Sequence, residues 1–115
     1  MTAIKINDNI SFVEDLAKKA ILYDLYSPLL NDKQKKCYEY HIIMDLSFTE
    51  IGEEMNMSRQ AAYDLYKNAD KKLAKFDKML KLSERFEKIE NLAVKLKKDK
   101  KNIDKILDEI IELTN

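Results

Sequence analysis

Apolar residues recur at steps of three and four from Ser11 onward, and Val13, Leu16, Ala17, Ala20, Ile21 and Leu25 form the stripe of an amphipathic helix. This helix is expected to stop before Pro28. Proline lacks an amide hydrogen and disfavours helical geometry at Ser27, so Ser27 to Leu30 is predicted as a connector with room for a single turn. Asn31 then offers an N-cap, and Gln34 can reach back to the cap amide. The second helix is predicted to run to about Met44 with Cys37, Tyr38, His41 and Ile42 on its buried stripe. A break at Asp45 to Ser47 follows, and Ser47 or Thr49 is expected to cap a short third helix ending near Met55.

Asn56 tolerates the left-handed conformation of a sharp turn, and Ser58 is placed to cap a fourth helix. That helix is predicted to be long. Ala62, Tyr66, Ala69, Leu73, Phe76 and Leu80 alternate at four and three residues, a short heptad seam that must fold back on other helices or cross to a second subunit. The apolar surface left to cover favours a homodimer. After Leu82 the phase slips, and Phe86, Ile89, Ala93 and Leu96 mark a further helix with Ser83 as its expected cap. Lys97 to Lys101 is predicted to be a solvated hinge. Asn102 is expected to cap a last helix carrying Ile103, Ile106, Leu107, Ile110 and Leu113.

Composition supports this pattern. One glycine and one proline in 115 residues leave little of the punctuation that hairpins need, and 37% charged with 45% hydrophobic residues is suited to amphipathic helices. The expected fold is all-α, one helical domain over residues 1–115, with a helix-turn-helix core at 31–68 and a helical extension at 82–115. Cys37 cannot form an internal disulfide, the first residues lack an apolar leader, and no window approaches the roughly 18 apolar residues of a membrane span. A cytoplasmic protein with no membrane association is expected.

The segment from Leu46 to Leu65 holds the informative constellation. Gly52 lies where two crossed helices approach most closely, and only glycine or alanine is expected to fit. Ile51, Met55, Met57, Ala62 and Leu65 are spaced to meet in one small core, with Asn56 making the turn. Arg59, Gln60, Tyr63 and Lys67 are predicted to project outward. The run from Glu50 to Arg59, EIGEEMNMSR, resembles the helix-turn-helix in the promoter-reading fourth region of bacterial sigma factors, a winged-helix-like DNA-binding core. The segment Leu30-Asn-Asp-Lys-Gln resembles the start of that region's first helix.

A closer resemblance is to the YlxM family of small proteins from low-GC Gram-positive bacteria, carried by Leu30-x-Asp32-Lys33-Gln34 and by Ser58-Arg59-Gln60-Ala61-x-Tyr63-Asp64. It spans roughly Leu22 to Leu80. The resemblance implies an all-helical, dimeric protein whose gene neighbours that of the signal recognition particle GTPase. It further implies a regulatory role in that secretion pathway.

Net charge weighs against an easy DNA-binding reading. Lysine plus arginine equals aspartate plus glutamate at 21 each, and from Phe48 to Lys67 the bases Arg59 and Lys67 face Glu50, Glu53, Glu54 and Asp64, a local net of minus two. Lys33, Lys35 and Lys36 before this segment, and Lys71, Lys72, Lys75, Lys78 and Lys81 after it, are the candidates to meet phosphates. Arg59 would read guanine and Gln60 adenine. The alternative is an adaptor for a protein or ribonucleoprotein, including signal recognition particle components, that uses the same surface without DNA.

Other chemistry is poorly supported. Cys37 and His41 share a helical face, but with one cysteine and one histidine in the chain they are expected to be a plain buried pair, with no metal. A single glycine cannot build a phosphate-cradling loop, so no cofactor is expected. Glu53 with Glu54, and Asp108 with Glu109 and Glu112, are predicted to be solvated faces, so an enzyme is not expected. Met44, Met55, Met57, Met79, Tyr23, Tyr26, Tyr66 and Phe76 are expected to pack in the core.

Overall fold

Pro28 punctuates the chain where its chemistry requires: helix α1 spans Ile6–Tyr26, and the ring sits in the single 3-10 turn Ser27–Leu29. The computed structural model describes residues 6–99 and 102–114. Helix α2, Asp32–Tyr38, begins with a complete capping box. The Gln34 amide donates to Asn31 Oδ1 at 2.8 Å, and the Asn31 amide donates to Gln34 Oε1 at 3.1 Å.

The second helix does not continue as α to Met44. Residues Glu39–Ile43 wind as one π-helical turn, with the Met44 amide donating to the Glu39 carbonyl at 3.0 Å. Asp45 then turns left-handed at φ 57°. The wider turn rotates the expected stripe out of phase after Tyr38. Cys37 and Tyr38 are fully buried, His41 and Ile42 only half-buried, and Met44 is 57% exposed.

Helix α3, Phe48–Met55, opens with a second capping box, made by Ser47 rather than Thr49. Asn56 adopts φ 55° and ψ 48°, and the chain enters α4, Arg59–Leu80, with the Ala61 amide donating to Ser58 Oγ at 3.0 Å. The chain divides into two compact units, Met1–Met79 and Leu80–Asn115. In the first unit Leu22, Tyr23, Tyr26, Leu30, Cys37, Tyr38, Ile51, Ala62, Tyr66, Ala69 and Leu73 are buried.

Two expectations about this core change. On α1 the buried face is Leu22, Tyr23 and Tyr26, while Val13 and Ile21 are 61% and 52% exposed. Tyrosine rings bury more surface than the aliphatic stripe, and the Tyr23 and Tyr26 hydroxyls find partners on the π-turn and α4. The α4 seam is largely spent inside this unit: Ala62, Tyr66, Ala69 and Leu73 are buried, Phe76 is half-buried and packs near Tyr26, and Leu80 is exposed.

The second unit pairs α5, Leu82–Lys98, with α6, Ile103–Leu113. Lys81, at φ 56°, occupies the α5 cap position and makes no side-chain cap bond, so Ser83 lies inside the helix rather than at its start. Asn102 holds the α6 cap position but likewise makes no side-chain cap bond. Lys97 and Lys98 belong to α5, where cations suit the negative end of the helix dipole. Asp99 follows as the α5 C-cap, and the remainder of the expected hinge, Lys100 and Lys101, lies outside the described residues. Among the described residues there is no strand, and the fold is all-α as expected.

Candidate functional site

The helix-turn-helix is assembled around its only glycine. Gly52 is buried, and a β-carbon there would meet the Met57 carbonyl oxygen at 2.6 Å and the Ser58 carbonyl carbon at 3.2 Å. A methyl there would force the turn backbone to shift, so alanine is disfavoured along with everything larger, which corrects the expectation that glycine or alanine would fit equally. The Met57 amide donates back to the Gly52 carbonyl at 2.8 Å and locks the turn. Ile51 and Ala62 are buried beneath it, with Met55, Met57 and Leu65 half-buried around them.

The outward face of α4 then follows from helical periodicity. Gln60, Lys67 and Lys71 are exposed on one stripe, and Arg59 is exposed beside it on the first turn. Tyr63 departs from the expected projection: it is half-buried, its ring edge-on to Phe48 at 5.2 Å. The Gln60 amide nitrogen donates to Asp64 Oδ1 at 3.0 Å, so this side chain is already engaged. Lys33 and Lys36 are exposed on α2, with the Lys36 ammonium 5.9 Å from the centre of the Tyr40 ring.

Helix α2 is joined to α4 at several points. The Cys37 thiol donates to the Ala62 carbonyl at 3.4 Å, and the Lys72 ammonium donates to Gln34 Oε1 at 3.3 Å. Burial pushes the Cys37 thiol up to about 11. Tyr38 lies between Tyr23 and Tyr66 in a stacked row with centroids 5.5 and 5.4 Å apart. Its hydroxyl donates to Asp70 Oδ1 at 3.1 Å, Tyr26 donates to Asp77 Oδ1 at 2.7 Å, and Tyr23 donates to Glu39. Burial first, then the Asp70 charge, holds the Tyr38 proton well above the usual phenol range.

These tyrosines sort the charges of α4, and composition alone does not reveal it. Asp70 and Asp77 are half-buried and turned toward phenol hydroxyls, whereas Lys67, Lys71, Lys75 and Lys78 are exposed. The signal in the sequence was the position of Asp70 and Asp77, each directly following the seam residues Ala69 and Phe76. Lys19 was also missed. Its ammonium donates to Tyr66 Oη at 3.0 Å and lies 3.7 Å from Asp15 and 4.0 Å from Asp70. Burial lowers its proton affinity, but the bond to Tyr66 and the two carboxylates outweigh that and raise it.

Beside Lys19, an open groove of about 440 Å³ is lined by Phe12, Asp15, His41, Asp45 and Tyr66, with two aliphatic neighbours. His41 is held there by a 2.9 Å bond between Nδ1 and the Leu46 carbonyl, which fixes the proton on Nδ1. Its ring stacks on Phe48 at 4.3 Å and meets Tyr66 edge-on at 4.6 Å. It is thus an aromatic spacer between the π-turn and α4. Among the described residues no three histidine, cysteine or acidic side chains converge to hold a metal, and no helix is long and apolar enough to cross a membrane.

Residues 13–113 match the family described as "Putative helix-turn-helix protein, YlxM / p13 like". A UPF0122 protein of Thermoanaerobacter sp. (strain X514) is 40% identical over 85 residues, covering 74% of this chain and 73% of its own. One of Fusobacterium nucleatum is 36% identical over 101 residues, covering 86% of this chain and 98% of its own. One of Bacillus cereus (strain AH187) is 30% identical over 103 residues, covering 87% and 94%. The chain belongs to the UPF0122 family of YlxM-like helix-turn-helix proteins.

Proposed function

We propose that this UPF0122-family chain is a cytoplasmic regulatory protein, not an enzyme, that binds duplex DNA with α4 as its reading helix. Arg59 and Gln60 take base edges at the first turn, Tyr63 reaches sugar or phosphate, and Lys67 and Lys71 meet the backbone. Lys33 and Lys36 on α2 add flanking phosphate contacts. The regulatory role in the signal recognition particle pathway, and the homodimer, come with this reading from the YlxM resemblance.

The observation that carries it is the charge sorting on α4. With Asp70 and Asp77 turned toward tyrosines, the outward face presents Arg59, Lys67, Lys71, Lys75 and Lys78 against Asp64, which is itself bonded to Gln60. From Lys67 to Lys78 this ridge is about 16 Å long, enough to follow several phosphates of one strand. The local net charge of minus two counted over Phe48 to Lys67 stops short of Lys71, Lys75 and Lys78, and so understates the helix.

Fluorescence anisotropy with a mixed-sequence duplex at low and moderate salt tests this. Binding should weaken steeply with salt, and Lys67→Gln/Lys71→Gln should flatten the slope by about two phosphates' worth. Absence of binding at low salt rejects it. The adaptor reading is favoured instead by the bond that occupies Gln60 and by the exposed acids Glu53 and Glu54 on α3. A pull-down with signal recognition particle components tests that reading.

A further inference from the structure

We propose that the outer face of α6 is a docking strip for a basic amphipathic helix of another protein. The proposal rests on the second unit alone and does not depend on whether α4 binds DNA. Helix α6 has a wider apolar arc than one neighbour can cover. Ile106 is buried, and Ile110 and Leu113 are half-buried, whereas Ile103, Leu107 and Ile111 are 38%, 41% and 57% exposed. These three stand at i, i+4 and i+8, a continuous ridge along one side of the helix.

What fits this ridge is set by its border. Asp104, Asp108 and Glu112 follow the three apolar residues one position later, so they form a parallel acidic row along the strip's edge. Glu109 adds a fourth acid, and Lys105 is the only base in the helix. The ion pairs of Lys19 with Asp15 and Asp70, and of Lys88 with Glu84, do not involve the α6 carboxylates. A helix with aliphatic residues at the same spacing and lysine or arginine beside them would cover the apolar ridge and neutralise the row.

A second copy of α6 is a poor occupant. Antiparallel twofold pairing across the ridge places both acidic rows on the same side, and parallel pairing sets like dipole ends together. The strip also falls well short of the roughly 800 Å² per partner of a standard interface, so charge must supplement apolar burial. That size suits a helix-in-groove contact.

The test is fluorescence anisotropy of two labelled helical peptides against the full chain, both with leucine at i, i+4 and i+8, one flanked by lysine and the other by glutamate. The lysine peptide should bind saturably and lose affinity with salt, and the glutamate peptide should not bind. Asp104→Lys/Asp108→Lys, both surface changes checked by circular dichroism, should weaken the lysine peptide about five- to tenfold. Equal binding of both peptides, no binding, or an unaffected double variant overturns the proposal. So does a wild-type chain whose mass in light scattering is doubled and returns to the single-chain value in Leu107→Ser, because a second copy then fills the strip.

Discussion

The carbonyl oxygen of Met57 lies 2.6 Å from the point where a β-carbon on Gly52 would sit. That contact makes the backbone of the turn, not a movable side chain, the wall against α3. Gly52→Ala should therefore destabilise the protein by about 1–3 kcal/mol through overpacking, despite alanine's advantage of about 1 kcal/mol in helix propensity. Urea unfolding checks it, and a more stable alanine variant would contradict the geometry.

Tyr38 and Asp70 tie α2 to α4 through a half-buried charge. Tyr38→Phe removes one donor and should cost about 1–2 kcal/mol, whereas Asp70→Ala also strips Lys19 of a carboxylate neighbour and leaves the Tyr38 hydroxyl without its acceptor. The alanine variant should be the less stable of the two. Equal stability would mean that the hydroxyl is satisfied elsewhere.

Stability should fall in alkali. The Cys37 thiol titrates at about 11 in the folded chain against an ordinary 9.0, so the folded state holds the proton more tightly. Its contribution is complete below pH 9 and is lost as pH rises through about 11, an effect of roughly 1–3 kcal/mol. Tyr23 and Tyr38, both shifted upward by burial, extend the loss to higher pH. Urea midpoints at about pH 8 and about pH 11 should differ in that direction. Cys37→Ala should narrow the difference, and an unchanged gap would assign it to the tyrosines alone.

His41 carries two separable roles, a bond to the Leu46 carbonyl and ring contacts with Phe48 and Tyr66. His41→Phe keeps an aromatic ring and should cost about 1 kcal/mol, while His41→Ala should cost about 2–4 kcal/mol. If phenylalanine is as damaging as alanine, the hydrogen bond rather than the stack holds the π-turn.

Lys81 adopts φ 56°, where a β-carbon is strained. Lys81→Gly should leave stability unchanged or raise it by up to about 1 kcal/mol, the relief of strain set against glycine's larger unfolded entropy. Thermal unfolding reads the sign. A clear loss would show that the Lys81 side chain contributes a contact of its own.

Local chemistry settled the parts of this protein that depend on neighbouring residues. Pro28, the Asn31–Gln34 capping box, the left-handed Asn56 and the Ser58 cap are each decided within a few positions, and the structure places them as their sequence signals require. Glycine at position 52 was legible for the same reason. The family was legible too, because the segments that carry it are contiguous.

Tertiary structure decided what depends on distant partners. Which face of α1 is buried and how the charges of α4 divide follow from tyrosines meeting carboxylates dozens of residues away, and the place where α2 widens into a π-turn was likewise not marked by the local pattern. No periodicity encodes those pairings, because a helical stripe records which residues share a face and not what lies opposite. The acids counted from Phe48 to Lys67, namely Glu50, Glu53, Glu54 and Asp64, are all exposed, whereas Asp70 and Asp77, beyond that count, face phenol hydroxyls. Whether an acid faces solvent or a phenol hydroxyl is a matter of packing.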